Sequence, residues 1–319
     1  MKHAPSDLPD LVLTSMTMQP SSNIKTVALI GAGAVGLCLA TAFAEAGWQV
    51  VVCGARQPFA QIEETEDAKT HTHRIRHALT PAEIGECDTV ILAVKSHQTQ
   101  SVSHWLQAFN RASATLLVAQ NGLGQKERVA SFAPQANILP VIVYFNAQRS
   151  GPGKVVLKRI GEHDLCLPDT AIAHCFADNL QKGNMRVQTT ADIITALWLK
   201  LLANITANPI TALTGRSTGV MQDPAILETA RQIMAEAVKI GQAEGAKLTT
   251  QHIEDSLAWL QTISAESITS MLQDRQAGRA LEYGALTGQV VKAGKKHGIE
   301  TPLNSLVLSL LSAIHPISY

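Results

Sequence analysis

Between Val27 and Ala44 the chain runs VALIGAGAVGLCLATAFA, without a charge and with three glycines in six positions. A membrane span needs roughly 17–25 apolar residues, so length alone would admit one here. Clustered glycines make a poor helix centre. The stretch divides instead into a strand over Lys25–Ile30, a tight turn, and an alanine-rich helix to about Ala46, with Gly47 as its stop. Gln49–Cys53 is the next apolar strand. The turn reads G-x-G-x-x-G, from Gly31 through Ala32, Gly33, Ala34 and Val35 to Gly36. In such a unit the first glycine allows the turn, the second lets a pyrophosphate approach the backbone, and the third lets the helix pack on the sheet. The helix N-terminus then faces the phosphates.

The end of the second strand sets the cofactor. An NAD site places an acid there for the ribose 2′-hydroxyl. This chain has Cys53, Gly54, Ala55 and Arg56, and no acid before Glu63. An arginine can fork onto a 2′-phosphate, which points to NADPH. A solvated loop arginine is the other reading of Arg56.

Alternation continues with strands at Thr89–Val94, Thr115–Ala119 and Asn137–Phe145, and a helix from about Thr99 to Phe109. Lys95 and Asn121 fall just past strand ends, where open α/β sheets bind ligands. Residues 154–167 read as a hairpin-like addition at the far edge of the sheet. His71, His73 and His77 crowd one segment. Arg74 and Arg76 there would repel a cation, and no acid or cysteine lies in ligand spacing, so the segment reads as a solvated strand face.

After about Thr190 the pattern is helical: Ala191–Leu213, Asp223–Gly245, Thr250–Ile263, Glu266–Gln276, Leu281–His297 and Pro302–Ile314. The expected fold is α/β, a Rossmann-type dinucleotide-binding domain over 25–190 followed by an all-helical domain over 191–319. The 319 residues suit two domains of roughly 150 each. Residues 1–24, with three prolines, Asp7 and Asp10, read as a loose extension and not as a signal peptide. Lysine plus arginine and aspartate plus glutamate are 26 each, and aromatics are 4%. That balance excludes a non-specific nucleic-acid binder, which needs excess positive charge and stacking surface. Nor is a membrane partner expected. Five cysteines without a C-x-x-C give no disulfide framework, and read as reduced core residues of a cytoplasmic protein.

In the first helix of the second half, LWLKLLANITANP, Lys200, Asn204 and Asn208 are four apart and share one face. Buried lysine and asparagine are costly without partners or a task. A solvated polar stripe is the plain alternative. Pro209 removes the bond to the Ile205 carbonyl beside Asn208. Glu282, read at a helix start, suits a first-turn acid.

These motifs resemble the ketopantoate reductase (2-dehydropantoate 2-reductase) family from Lys25 to the C-terminus. The resemblance is carried by Gly31–Gly36 with Arg56, Lys95 in AVKSHQT, Asn121 in QNGLG, the Lys200 helix, Ser270 in SITSMLQD, Glu282 in ALEYGAL and His297-Gly298-Ile299. It implies reduction of 2-dehydropantoate to (R)-pantoate with NADPH, in pantothenate and coenzyme A synthesis. By resemblance Lys200 is the proton donor, while Asn121, Asn204, Asn208 and Ser270 hold substrate. The cofactor residues would be Gly31, Ala32, Gly33, Ala34, Val35, Gly36, Arg56, Lys95, Asn121, Ala147 and Glu282. Thr218 stands where the family places a substrate asparagine, Asn146 where many members have glycine, and Leu157 where histidine is frequent; all three read as substrate-side departures. The other readings are a reductase of a different branched 2-keto acid and a non-catalytic NADPH sensor. A homodimer is compatible with the resemblance.

Overall fold

The computed structural model describes residues 25–314; the extension read over 1–24 lies outside them. A six-stranded parallel sheet comprises β1 (Thr26–Ile30), β2 (Gln49–Cys53), β5 (Arg76–Ala78), β6 (Thr89–Leu92), β7 (Thr115–Val118) and β8 (Asn137–Pro140), in the order β5-β2-β1-β6-β7-β8. The inner strands are buried along nearly their whole length. That explains their continuous apolar runs: a parallel sheet is covered on both faces. Strand order reverses between β1 and β6, so the crevice at their carboxyl ends is the natural ligand site.

The uncharged stretch is β1, the turn and helix α1 (Ala34–Glu45), whose side chains are mostly buried. Strand β3 (Gln61–Glu66) went unread, while β4 (Lys69–Arg74) is the strand face read at His71 and His73. They join β10 (Asn146–Gly151) and β11 (Lys154–Lys158) in a second sheet ordered β10-β11-β3-β4, which packs on α1. So 154–158 does not extend the main sheet. The run 137–145 is also broken, into β8 and β9 (Ile142–Val143). A third sheet holds β9, β12 (Leu165–Pro168) and β13 (Val187–Thr190), with helix α4 (Ala171–Lys182) between the last two. The segment expected as one helix from about Thr99 is a 3-10 turn (Gln100–Val102) followed by α2 (Ser103–Gln107), and α3 (Gln125–Ala130) follows β7. His71 and His73 do meet an acid from outside their segment: Glu45 Oε1 lies 2.9 Å from His71 Nδ1 and 2.8 Å from His73 Nε2. Four of the cysteines are buried; Cys175 is exposed, against the core reading, and all are free.

The helical half comprises α5 (Ile193–Thr214), α6 (Pro224–Ala243), α7 (Gln251–Thr262), α8 (Ser270–Gln276), α9 (Thr287–His297) and α10 (Pro302–Ile314). Asp192 caps α5 through the Thr195 N–H (3.1 Å) and Asp223 caps α6 through Ala225 N–H (2.9 Å). Helix α5 runs on through Pro209. It is the one helix among the described residues long and apolar enough to cross a membrane. Here Trp198, Leu201, Leu202 and Ile205 bury it in the core of the helical half. Two helices are shorter than read: α8 starts at Ser270, not Glu266, and α9 at Thr287, not Leu281.

Candidate active site

The turn after β1 divides its glycines by task. Gly31 has φ +104°, and a Cβ there would lie 2.5 Å from the Val94 amide nitrogen. A Cβ on Gly36 would lie 2.1 Å from the Gly31 carbonyl oxygen, so Gly36 serves helix packing. Gly33 is different, since nothing lies within 4 Å of its Cβ position. It caps α1 without a side-chain bond, and the first turn holds no acid. Free backbone N–H groups therefore face the crevice beside an open glycine, which fits a pyrophosphate.

That crevice is a cleft of about 1370 Å3, lined by Gly31 to Val35, Arg56, Lys95, Asn121, Ala147, Ser270 and Glu282. Its volume exceeds the ~300–1,000 Å3 that suits a drug-sized molecule. A dinucleotide with a small acid fits that scale. Arg56 is exposed at the rim. Ala147 sits on β10, the edge strand of the second sheet. Gly36 lies below the cleft, as its packing role requires.

The helical half closes the other wall. Gly122 (φ +83°) comes so near Ala285 that a Cβ would stand 1.8 Å from its carbonyl oxygen, and Leu123 N–H donates to that oxygen at 3.2 Å. Glu282 precedes α9, so the first-turn reading falls. Its Oε1 instead accepts the Ser96 N–H at 2.9 Å, across the seam. Lys95 crosses the same seam to Asp274, whose Oδ1 also accepts Arg279 Nε–H at 2.9 Å. Asp274 is buried and was not singled out from sequence. Its partner Lys95 lies 179 residues away, a pairing that no local spacing signals.

Lys200 projects from α5 to the seam. Its ammonium donates to the Val143 carbonyl and to Asn121 Oδ1 (3.4 Å), and stands 5.7 Å from the centre of the Tyr144 ring. Burial lowers its pKa and the nearby Glu282 carboxylate partly offsets this, leaving it at about 8. Lys200 and Asn204 line a small second cavity of about 10 Å3 with Gln120, Asn121 and Gln125, and Asn121 faces both cavities. Asn208 is buried, and its Nδ2 donates to Asn204 Oδ1 at 3.3 Å. The solvated-stripe alternative is thus excluded at Asn208. Ser270 opens α8 on the cleft wall, behind a Thr269 cap that accepts Leu272 N–H at 3.2 Å.

Thr218 does not join this group. Its hydroxyl lies 2.7 Å from the Ser264 carbonyl and 3.1 Å from that of Ser267, and it lines neither cavity. Leu157 is a buried core residue paired with Ala147 across β10 and β11, away from Lys200's cavity. Asn146 is exposed at the start of β10.

A parallel-sheet dinucleotide fold, with a lysine at its junction with a helical half, defines a dinucleotide-dependent oxidoreductase. The chain belongs to the ketopantoate reductase family: residues 27–167 match the ketopantoate reductase PanE/ApbA model, and 192–315 match that of its C-terminal part. It is 32% identical over 296 residues to the 2-dehydropantoate 2-reductase of Mycobacterium tuberculosis, covering 90% of this chain and 97% of that one. Identity to the Caulobacter vibrioides 2-dehydropantoate 2-reductase is 31% over 293 residues, with 90% and 98% covered. The dimeric ketopantoate reductase of Staphylococcus aureus superposes with a TM-score of 0.80 at 28% identity, over 91% of this chain and 98% of that one.

Proposed function

We propose that the protein reduces 2-dehydropantoate to (R)-pantoate with NADPH, with Lys200 as proton donor. The observation that carries this reading is the Lys200 ammonium, buried at the seam, hydrogen-bonded to Asn121 and tuned to about 8. An acid of that pKa is charged at neutral pH yet gives up its proton readily. A sensor has no use for it. When bound, NADPH supplies the hydride to the keto carbon. The chain's own residues answer the negative charge that builds on the keto oxygen. Lys200 Nζ stabilises that charge and then transfers a proton to it, leaving a neutral amine. Val143 and Asn121 fix the ammonium. Asn121, Asn204 and Ser270 orient the substrate's carboxylate and hydroxyl as neutral groups, so they leave the lysine's pKa in place. Asn208 acts through Asn204, which its amide holds.

On the cofactor side, Gly31–Val35 cradle the pyrophosphate, Arg56 takes the 2′-phosphate, and Ala147 and Glu282 flank the nicotinamide end. Lys95 reaches the cofactor from its ion pair with Asp274. In this reading the chain is a cytoplasmic enzyme of pantothenate and coenzyme A synthesis, and a homodimer like its Staphylococcus aureus relative. The test is NADPH oxidation across a panel of branched 2-keto acids. The highest kcat/KM is expected with 2-dehydropantoate; a higher value with another acid overturns the substrate, and no turnover with any acid overturns the enzyme.

Glu282 carries a separate prediction. Its charge raises the Lys200 pKa, and it also acts on Arg128 and His97. Reduction needs the ammonium, so kcat/KM should fall as pH rises through about 8. Glu282→Gln removes the attraction, which lowers the Lys200 pKa further. The alkaline limb should move to lower pH. A limb that stays in place would detach Glu282 from the proton donor.

A further inference from the structure

Trp105 has no part in the reading so far. It lies in α2, only 3% exposed, in the core cluster beneath the main sheet. One edge of its indole meets the end of β2. A Cβ on Gly54 would stand 3.0 Å from Trp105 Nε1 and 3.3 Å from Cζ2. Gly54 has φ +59° and no side chain, so the indole N–H opens over it onto the cleft. Both residues line that cleft, and Arg56 follows Gly54 by two positions.

An indole N–H is a donor only. When buried it almost always has an acceptor. None of the described residues supplies one here. The donor is therefore aimed at the part of the cleft where Arg56 sits, at the strand end that selects between the two nicotinamide cofactors. We propose that Trp105 Nε1–H is a second donor to the 2′-phosphate of NADPH, a specificity residue beside Arg56. This rests on the NADPH reading above. The two donors differ in kind. Arg56 is exposed and must be ordered on binding, whereas the packed indole is already fixed and loses no rotamer freedom. A hydrogen bond to an anion is also stronger than one between neutral groups.

The closing experiment compares NADPH and NADH Kd values, by nicotinamide fluorescence, in the wild type, Trp105→Phe and Arg56→Ala. Phenylalanine keeps an aromatic ring and removes the N–H. About a tenfold weakening of NADPH is expected for Trp105→Phe, with NADH within twofold. Equal weakening of both cofactors would overturn the proposal, as would unchanged NADPH binding. Arg56→Ala tests the underlying reading separately: if it leaves the NADPH-to-NADH ratio unchanged, the 2′-phosphate is not held here at all. A measurement on the wild type guards against a poorly folded variant. The Trp105 Nε1–H NMR signal should move downfield with 2′,5′-ADP and not with 5′-ADP; an equal response to the two would again overturn the assignment.

Discussion

Lys200→Ala should cut kcat by two to four orders of magnitude while NADPH affinity stays within threefold. That is the usual range for a lost general acid. The split follows from geometry. Lys200 faces the small cavity and the Val143 carbonyl, whereas the glycine turn and Arg56 line the large cleft. Steady-state kinetics with a separate NADPH titration checks it. A loss below tenfold would mean that the proton comes from elsewhere, such as water or Lys95. Weakened NADPH together with a normal kcat would move Lys200 out of the chemistry and into cofactor binding.

Gly33→Asp should give opposite signs for stability and activity. Gly33 has φ −82° and ψ −175°, extended backbone that any residue adopts, and open space at its Cβ. Aspartate there is a good N-cap for α1 and should hold or slightly raise Tm, by roughly a few tenths of a kcal/mol of stability over glycine. The same carboxylate would stand where the pyrophosphate must come close, and like charges repel. Dinucleotide affinity should fall more than a hundredfold. Calorimetry with a cofactor titration reads both. A variant that binds NADPH normally would place the phosphates elsewhere; one that unfolds would contradict the open geometry at Gly33.

The sequence was most legible where one local pattern served one purpose. β1, the turn and α1 could be read because strand, glycines and helix are contiguous. The Lys200, Asn204 and Asn208 stripe could be read because helical periodicity places polar groups on one face. β3 was missed because QIEETE carries a single apolar residue, and its strand character comes from pairing with β4, the strand face read at His71 and His73, in a sheet laid over α1. Glu282 was misplaced because an acid before an apolar helix looks like a first-turn residue. Its partner, the Ser96 N–H, is 186 residues away. Asp274 escaped for the same reason, as a lone carboxylate in a short helix. Long-range pairs across the seam leave no periodicity, and the site is built from them.

Thr218 has a consequence for redesign. Its hydroxyl holds the carbonyls of the 264–267 segment, and Gly219 N–H donates to Ala265 at 2.9 Å. Three residues beyond that segment, Ser270 enters the cleft wall. A position expected on the substrate side here acts as the fastening of a loop. On α5, Asn208 is buried and its amide holds Asn204, so substitution there disturbs the packing of the helix. The loop on Thr218 is short and exposed at Ile268. A library aimed at new keto acids should therefore vary residues 265–270 with Thr218 kept, so that the register of the wall survives while its face is rewritten.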